Sequence, residues 1–167
     1  MLKDWLKILQ SSYTRSGATV TRTTRVGIEG LRFESIHYTP DSPKSQLLHG
    51  HTFRVDIVVE GELDNNGMVI DFRQLRKLAE SIIAEWDQAI IVPLKDKGHI
   101  RINGPFKVKR ILIPFNTATT ENIACALLEE LLNALKRETN IYSRLHSVLV
   151  RVWESYDRYA ECMETLR

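Results

Sequence analysis

The sequence predicts an α+β domain built as an antiparallel four-stranded sheet with two helices packed on one face. Three observations carry this reading. Residues 26–37 and 51–60 alternate apolar and polar side chains with the period of two that a half-buried strand requires. Residues 72–86 and 123–135 repeat apolar side chains at three- and four-residue steps, the spacing of a helix with one buried stripe. Alternation resumes at residue 148 and runs close to the end. The resulting order is strand, strand, helix, helix, strand, strand, which suits helices segregated on one side of an antiparallel sheet.

Taken in order, Leu2, Trp5, Leu6 and Leu9 recur at helical spacing and predict a short amphipathic helix over 2–10. Ser11 to Thr24 is polar and reads as a loop, so residues 1–24 form an extension before a single domain spanning 25–167. Val26, Ile28 and Gly30 alternate in one phase; Leu31, Phe33, Ser35 and His37 alternate in the other. The slip at Gly30–Leu31 predicts a β-bulge. Pro40 and Pro43 bound a loop. His51, Phe53, Val55, Ile57 and Val59 share one face of the next strand, and Asp64-Asn65-Asn66-Gly67 makes a turn. These two strands are expected to pair as a hairpin.

Asp71 is the expected N-cap of a helix carrying Phe72, Leu75, Leu78, Ala79, Ile82, Ile83 and Trp86 on one stripe. Residues 88–118 are mixed and broken by Pro93, Pro105 and Pro114, with a hairpin signal at Asn103-Gly104. Thr119 or Thr120 caps a second helix, striped by Ile123, Leu127, Leu128, Leu131, Leu132 and Leu135. Val148, Val150 and Val152 alternate with Leu149, Arg151 and Trp153, so both faces of that strand are expected to be covered. A last short strand spans Tyr156 to Cys162.

Composition narrows the function. The chain has 167 residues, 43% hydrophobic and 26% charged, which suits one globular domain and excludes a disordered chain. No apolar run reaches the roughly 20 residues of a membrane-spanning helix. Lys3, Asp4 and Lys7 interrupt the first ten residues, which therefore do not read as a signal peptide. A formal net charge of +2 excludes nucleic-acid binding by bulk attraction. The small basic clusters at Arg22 and Arg25 and at Lys107, Lys109 and Arg110 lack interleaved aromatics. Cys125 and Cys162 are too few for a disulfide scaffold and read as small, buried, inert thiols in a reducing cytoplasm.

The chemistry concentrates in histidines. His49-Gly50-His51 sets two imidazoles at i and i+2, on one face of an extended chain. His37 carries the parity of Phe33 and Ser35 on the neighbouring strand. A hairpin would bring all three to one end of the sheet. A lone histidine is ordinarily a surface or satisfied core residue. Three that converge and leave a fourth position open make the arrangement of a catalytic zinc, which polarises a bound hydroxyl.

Seven segments then occur in a familiar order. They are Phe33-Glu34-Ser35-Ile36-His37, Leu48-His49-Gly50-His51-Thr52-Phe53, Gly61-Glu62-Leu63-Asp64, Gly67-Met68-Val69-Ile70-Asp71-Phe72, Trp86-Asp87, Thr119-Thr120-Glu121-Asn122-Ile123-Ala124 and Val152-Trp153-Glu154. In them the chain resembles the 6-pyruvoyl-tetrahydropterin synthase and 6-carboxy-tetrahydropterin synthase family over most of residues 31–160. Residues 1–24 and about 88–116 look like additions to that core. The resemblance implies a tunnelling fold, with three chains joining their sheets into a barrel and two barrels stacking into a hexamer. It implies a dihydropterin substrate, usually dihydroneopterin triphosphate, and Zn2+ on His37, His49 and His51. It maps Glu154 onto the carboxylate that anchors the pterin, with Thr119, Thr120 and Glu121 bordering the ring. One carboxylate can accept both a ring N–H and the adjacent amino group of a pterin, and the phase of Val148, Val150 and Val152 sets Glu154 at the end of an apolar face.

Two positions depart from the family pattern. The catalytic cysteine that stands four residues before the His-Gly-His motif in some members is Ser45 here. The Asp-His pair after the first helix is Asp87-Gln88. Both replaced groups handle protons, and neither a serine hydroxyl without a strong partner nor a glutamine takes one at neutral pH. His99, Asp41 and Lys44 are the candidate substitutes. Two functions stay open: a zinc-dependent pterin lyase, and a zinc- and pterin-binding homologue without the standard lyase step.

Overall fold

The computed structural model of the chain describes residues 23–40 and 43–166. The helix expected over 2–10 lies outside the described residues. β1 (Thr24–His37) and β2 (His49–Gly61) pair antiparallel, with Phe33 opposite Phe53, Ser35 opposite His51 and His37 opposite His49. The expected bulge is present. Between the pairs Ile28–Ile57 and Leu31–Val55, two residues of β1 oppose the single Asp56 of β2. Gly30 takes φ +77°, a conformation that disfavours any Cβ, and its N–H donates to Asp56 Oδ1 at 3.0 Å.

α1 (Phe72–Trp86) begins where Asp71 accepts from the N–H groups of Arg73 and Gln74. Leu75, Ala79, Ile83 and Trp86 form its buried stripe. β3 (Ala89–Pro93) and β4 (Lys109–Ile113) follow. α2 (Thr120–Leu135) starts at the N-cap Thr119, whose hydroxyl accepts from Asn122 N–H. A short α3 (Thr139–Tyr142) leads into β5 (Leu145–Trp153) and β6 (Tyr159–Thr165).

The sheet has six strands in the order β4-β3-β1-β2-β5-β6 and is mixed. This corrects the expected four-stranded antiparallel sheet. β3 runs parallel to the end of β1, and β4 runs parallel to β3. The hairpin expected at Asn103-Gly104 is absent, because parallel neighbours cannot be joined by a tight turn. All five residues of β3 are buried. A strand covered on both faces shows no alternation, and a five-residue apolar run ending at Pro93 therefore passes for part of a loop.

β1, β2, β5 and β6 are neighbours in that order and pair antiparallel; the sequence predicts antiparallel strands but not their arrangement. α1 packs on β1, and α2 packs on β5 and β6. Between helices and sheet lies one core, in which Phe33, Phe53, Val55 and Ile57 meet Leu75, Ile83, Leu127 and Leu131. Phe33 and Phe53 stack with centroids 5.0 Å apart, and Trp86 meets Phe33 edge-on at 5.8 Å. On the reverse face of β5, Arg54 covers the Trp153 ring at 4.1 Å and Trp153 Nε1–H donates to Asp56 at 2.7 Å. That face is thus partly closed within one chain, by a cation and an aromatic rather than by an apolar layer.

Cys125 of α2 and Cys162 of β6 form a disulfide, with Cα atoms 5.1 Å apart. The expectation of two inert thiols is corrected here. Helix and strand phase turn both side chains into the same seam, a juxtaposition that a separation of 37 residues does not reveal. The reducing-compartment reading, which rested on there being only two cysteines, gains no support from their pairing.

Candidate metal and pterin site

The site forms where β1 ends and β2 begins. Antiparallel pairing sets His37 directly opposite His49, and the pleat returns His51 to the same face two residues on. The imidazole centroids lie 4.5 Å (His37–His49), 5.2 Å (His37–His51) and 5.0 Å (His49–His51) apart. Phe53 lies 5.4 Å from both His37 and His51, so the aromatic core forms the floor of the site. Glu154 follows β5. Trp153 pairs with Arg54, and one further step brings Glu154 level with Phe53, beside His51.

These four residues offer donor atoms that all lie within 4.8 Å of one another. His37 Nδ1 lies 2.6 Å from the Ala118 carbonyl, and His49 Nδ1 lies 2.7 Å from the Leu47 carbonyl. A carbonyl only accepts, so each Nδ1 carries the proton and each Nε2 presents a lone pair. His37 Nε2 and His51 Nε2 are buried and have no hydrogen-bond partner. His51 Nε2 comes within 3.1 Å of Glu154 Oε1, and His37 Nε2 within 3.8 Å, without forming hydrogen bonds. Buried polar atoms without partners are costly, and a divalent cation would satisfy both at once. Three imidazoles with a carboxylate are the donor chemistry of zinc.

Electrostatics favour the ligating form. Burial pushes the His37 imidazole below its ordinary pKa, with the neighbouring imidazoles adding to the shift and the Ala118 hydrogen bond opposing it. Burial also lowers His51, with Glu154 opposing. Both changes keep the rings neutral near pH 7.

Next to the donor cluster lies a cavity of about 470 Å³ lined by His37, Thr39, Ser45, Thr117, Thr119, Thr120, Glu121 and Glu154. It collects every residue expected to border the pterin. Thr120 Oγ1–H donates to Glu154 Oε2 at 3.2 Å and orients the carboxylate. Ser45 reaches the cavity too, and its carbonyl accepts from Thr39 N–H at 2.7 Å.

The remaining candidates lie elsewhere. Asp87 caps the end of α1, and its Oδ1 accepts from Glu34 N–H at 2.8 Å. Gln88 faces a different cavity, on the reverse side of the hairpin. His99 lies in the added segment beside Tyr38 and Asp96 and does not line the donor cavity. Lys44 is exposed, and Asp41 is outside the described residues. The sequence reading did not foresee that Glu154 would stand within contact of the histidines. The β2–β5 register decides that, and sequence periodicity fixes phase but not register. It also passed over Thr39, Thr117 and Ala118.

Fold and donor set together define an α+β protein with a potential metal centre opening on a threonine-rich pocket. A family model described as 6-pyruvoyl tetrahydropterin synthase matches residues 28–165. The chain belongs to that family. A candidate 6-carboxy-5,6,7,8-tetrahydropterin synthase of Pyrococcus abyssi is 31% identical over 147 residues, covering 81% of this chain and 87% of the relative. The 6-carboxy-5,6,7,8-tetrahydropterin synthase of Haemophilus influenzae is 30% identical over 129 residues, covering 72% and 85%. In fold, the chain matches a 6-pyruvoyltetrahydropterin synthase of Plasmodium vivax, solved as a mutant of a catalytic residue, with a TM-score of 0.75 at 20% identity. That match covers 87% of this chain and all of the other.

Proposed function

We propose that this chain is a zinc-dependent protein of the pterin lyase and synthase type, acting on dihydroneopterin triphosphate or a related dihydropterin. The observation that carries the reading is the convergence of His37, His49, His51 and Glu154 beside a cavity bordered by Thr119, Thr120 and Glu121. His37, His49 and His51 would hold the metal. Zinc, when bound, supplies a Lewis acid that polarises a substrate oxygen and eases loss of its proton.

The chain's own residues do the rest. Glu154 offers a carboxylate to the paired N–H donors of a pterin, and Thr120 fixes one of its oxygens. Thr119, through the cap of α2, holds the wall of the pocket in place. Proton transfer is the altered part. Ser45 is the polar group at the place of the family thiol, and the Asp87 carboxylate is committed to Glu34 N–H.

That last observation favours a second reading, a zinc- and pterin-binding homologue without the standard lyase step. The family further supports self-association into a trimer or hexamer and a cytoplasmic setting; among the described residues no helix is long and apolar enough to cross a membrane.

A turnover assay on dihydroneopterin triphosphate, with metal content measured on the same sample, separates the readings. General acid–base groups contribute about 10²–10⁴-fold. We expect zinc-dependent product at a rate reduced by that order. No product despite zinc and pterin binding would select the second reading. A protein that binds neither zinc nor pterin would overturn both.

A further inference from the structure

We propose that a turn of the added segment braces the metal site, with Tyr38 and Asp96 as positioning residues for His37 and for the loop that carries Ser45. Their role rests on His37 being a metal ligand, as in the proposed function.

His37 closes β1. Its backbone is the last position of the ladder with β2, opposite His49, and residues 38–48 form the loop between the two ligands. Strand ends fray where a ladder stops. Two bonds hold the chain just past that point. Thr39 N–H donates to the Ser45 carbonyl at 2.7 Å and closes the loop on itself. The Tyr38 hydroxyl donates to Asp96 Oδ2 at 2.6 Å. Apart from the contact of His49 with the Leu47 carbonyl, this is the one hydrogen bond among the described residues that ties the loop to another part of the chain.

Asp96 stands on a fixed support. β3 runs parallel to the end of β1, with Ile36 level with Ile90, so the chain leaving Pro93 passes the end of β1. It then closes a single 3₁₀ turn, Leu94–Asp96. Lys97 N–H donates to the Leu94 carbonyl at 3.3 Å, and His99 N–H to the Asp96 carbonyl at 2.9 Å. Behind the turn stands β3, buried along all five of its residues. A hydroxyl at 2.6 Å from a carboxylate makes a short, charge-assisted bond. Tyr38 and Asp96 are both half-buried, so water competes less for either.

His37 is thus held in three ways: by the ladder, by the Ala118 carbonyl on its Nδ1, and by Tyr38 one residue on. Removing an outer partner of a metal ligand costs about 10–100-fold in metal affinity. Tyr38 acts one peptide away from the ligand, which sets the expected effect at the lower end of that range.

The test measures zinc affinity by competition with a chromophoric chelator, together with the visible spectrum of the Co2+-substituted protein. Tyr38→Phe and Asp96→Ala should each weaken zinc about tenfold and alter the cobalt bands. The double variant should lose no more than either single one, because both remove the same bond. Asp96→Asn keeps an acceptor for the hydroxyl and should stay within about threefold of wild type. Melting of the metal-free protein reads stability separately. A Tyr38→Phe protein that melts lower but keeps the wild-type zinc affinity and cobalt spectrum has lost only a loop anchor, which would overturn the proposal while leaving the metal reading intact. Additive losses in the double variant would overturn it as well. Wild-type protein that binds no zinc would overturn the metal reading and the proposal with it.

Discussion

At the scale of the residue, the histidines were legible and the glutamate only partly so. His49 and His51 read directly as a pair because i and i+2 share a face in any strand. His37 joins them only if β1 and β2 pair in one particular register, and the parity of Phe33 and Ser35 allowed that register. The contact between Glu154 and His51 depends on β5 pairing with β2, which no local pattern specifies. Glu154 therefore has two possible partners, the cation and the pterin. Glu154→Ala separates them. If the carboxylate anchors pterin, a charge-assisted hydrogen bond of about 1.5–3 kcal/mol is lost. Calorimetry should then show pterin affinity falling about ten- to a hundredfold or more, with zinc content kept. Unchanged affinity would mean that the pterin pocket lies elsewhere.

At the scale of the element, the amphipathic pieces were legible and the wholly buried ones were not. α1 announced itself through a stripe and an N-cap, and Asp71 makes the bonds expected of it. β3 lacks any polar face, so no period distinguished it from a loop. The disulfide was invisible for a different reason. Cys125 and Cys162 sit on unlike elements, and only the docking of α2 against β6 brings them together. β6 is an edge strand, held on one side by β5. The disulfide therefore ties an edge to the core helix. By loop-closure entropy, a bridge across 37 residues contributes about 3–4 kcal/mol. Thermal melts should shift down for Cys125→Ala with Cys162→Ala, and for wild type in reductant, by similar amounts. Thiol titration of unreduced, denatured protein should find none free. Two titratable thiols would contradict the pairing.

At the scale of the whole molecule, the single chain leaves surface that an assembly would use. Among the described residues, β4 and β6 are the edges of the sheet. Tyr156 is 92% exposed and Met163 58%, at the turn before β6 and along that strand. Unpaired edges with exposed apolar side chains invite pairing with another copy. Light scattering should report a trimer or hexamer, and a monomer at micromolar concentration would contradict the assembly. Under the proposed function, the three imidazoles at the end of one hairpin would hold the metal of the site such an assembly carries. The most direct measurement is the zinc content of the purified protein beside that of His49→Ala, with circular dichroism confirming that the variant is folded. The account predicts close to one zinc per chain in the wild type and loss of most of it in the variant, since two histidines rarely hold zinc at full occupancy. Zinc retained in full by folded His49→Ala would contradict it.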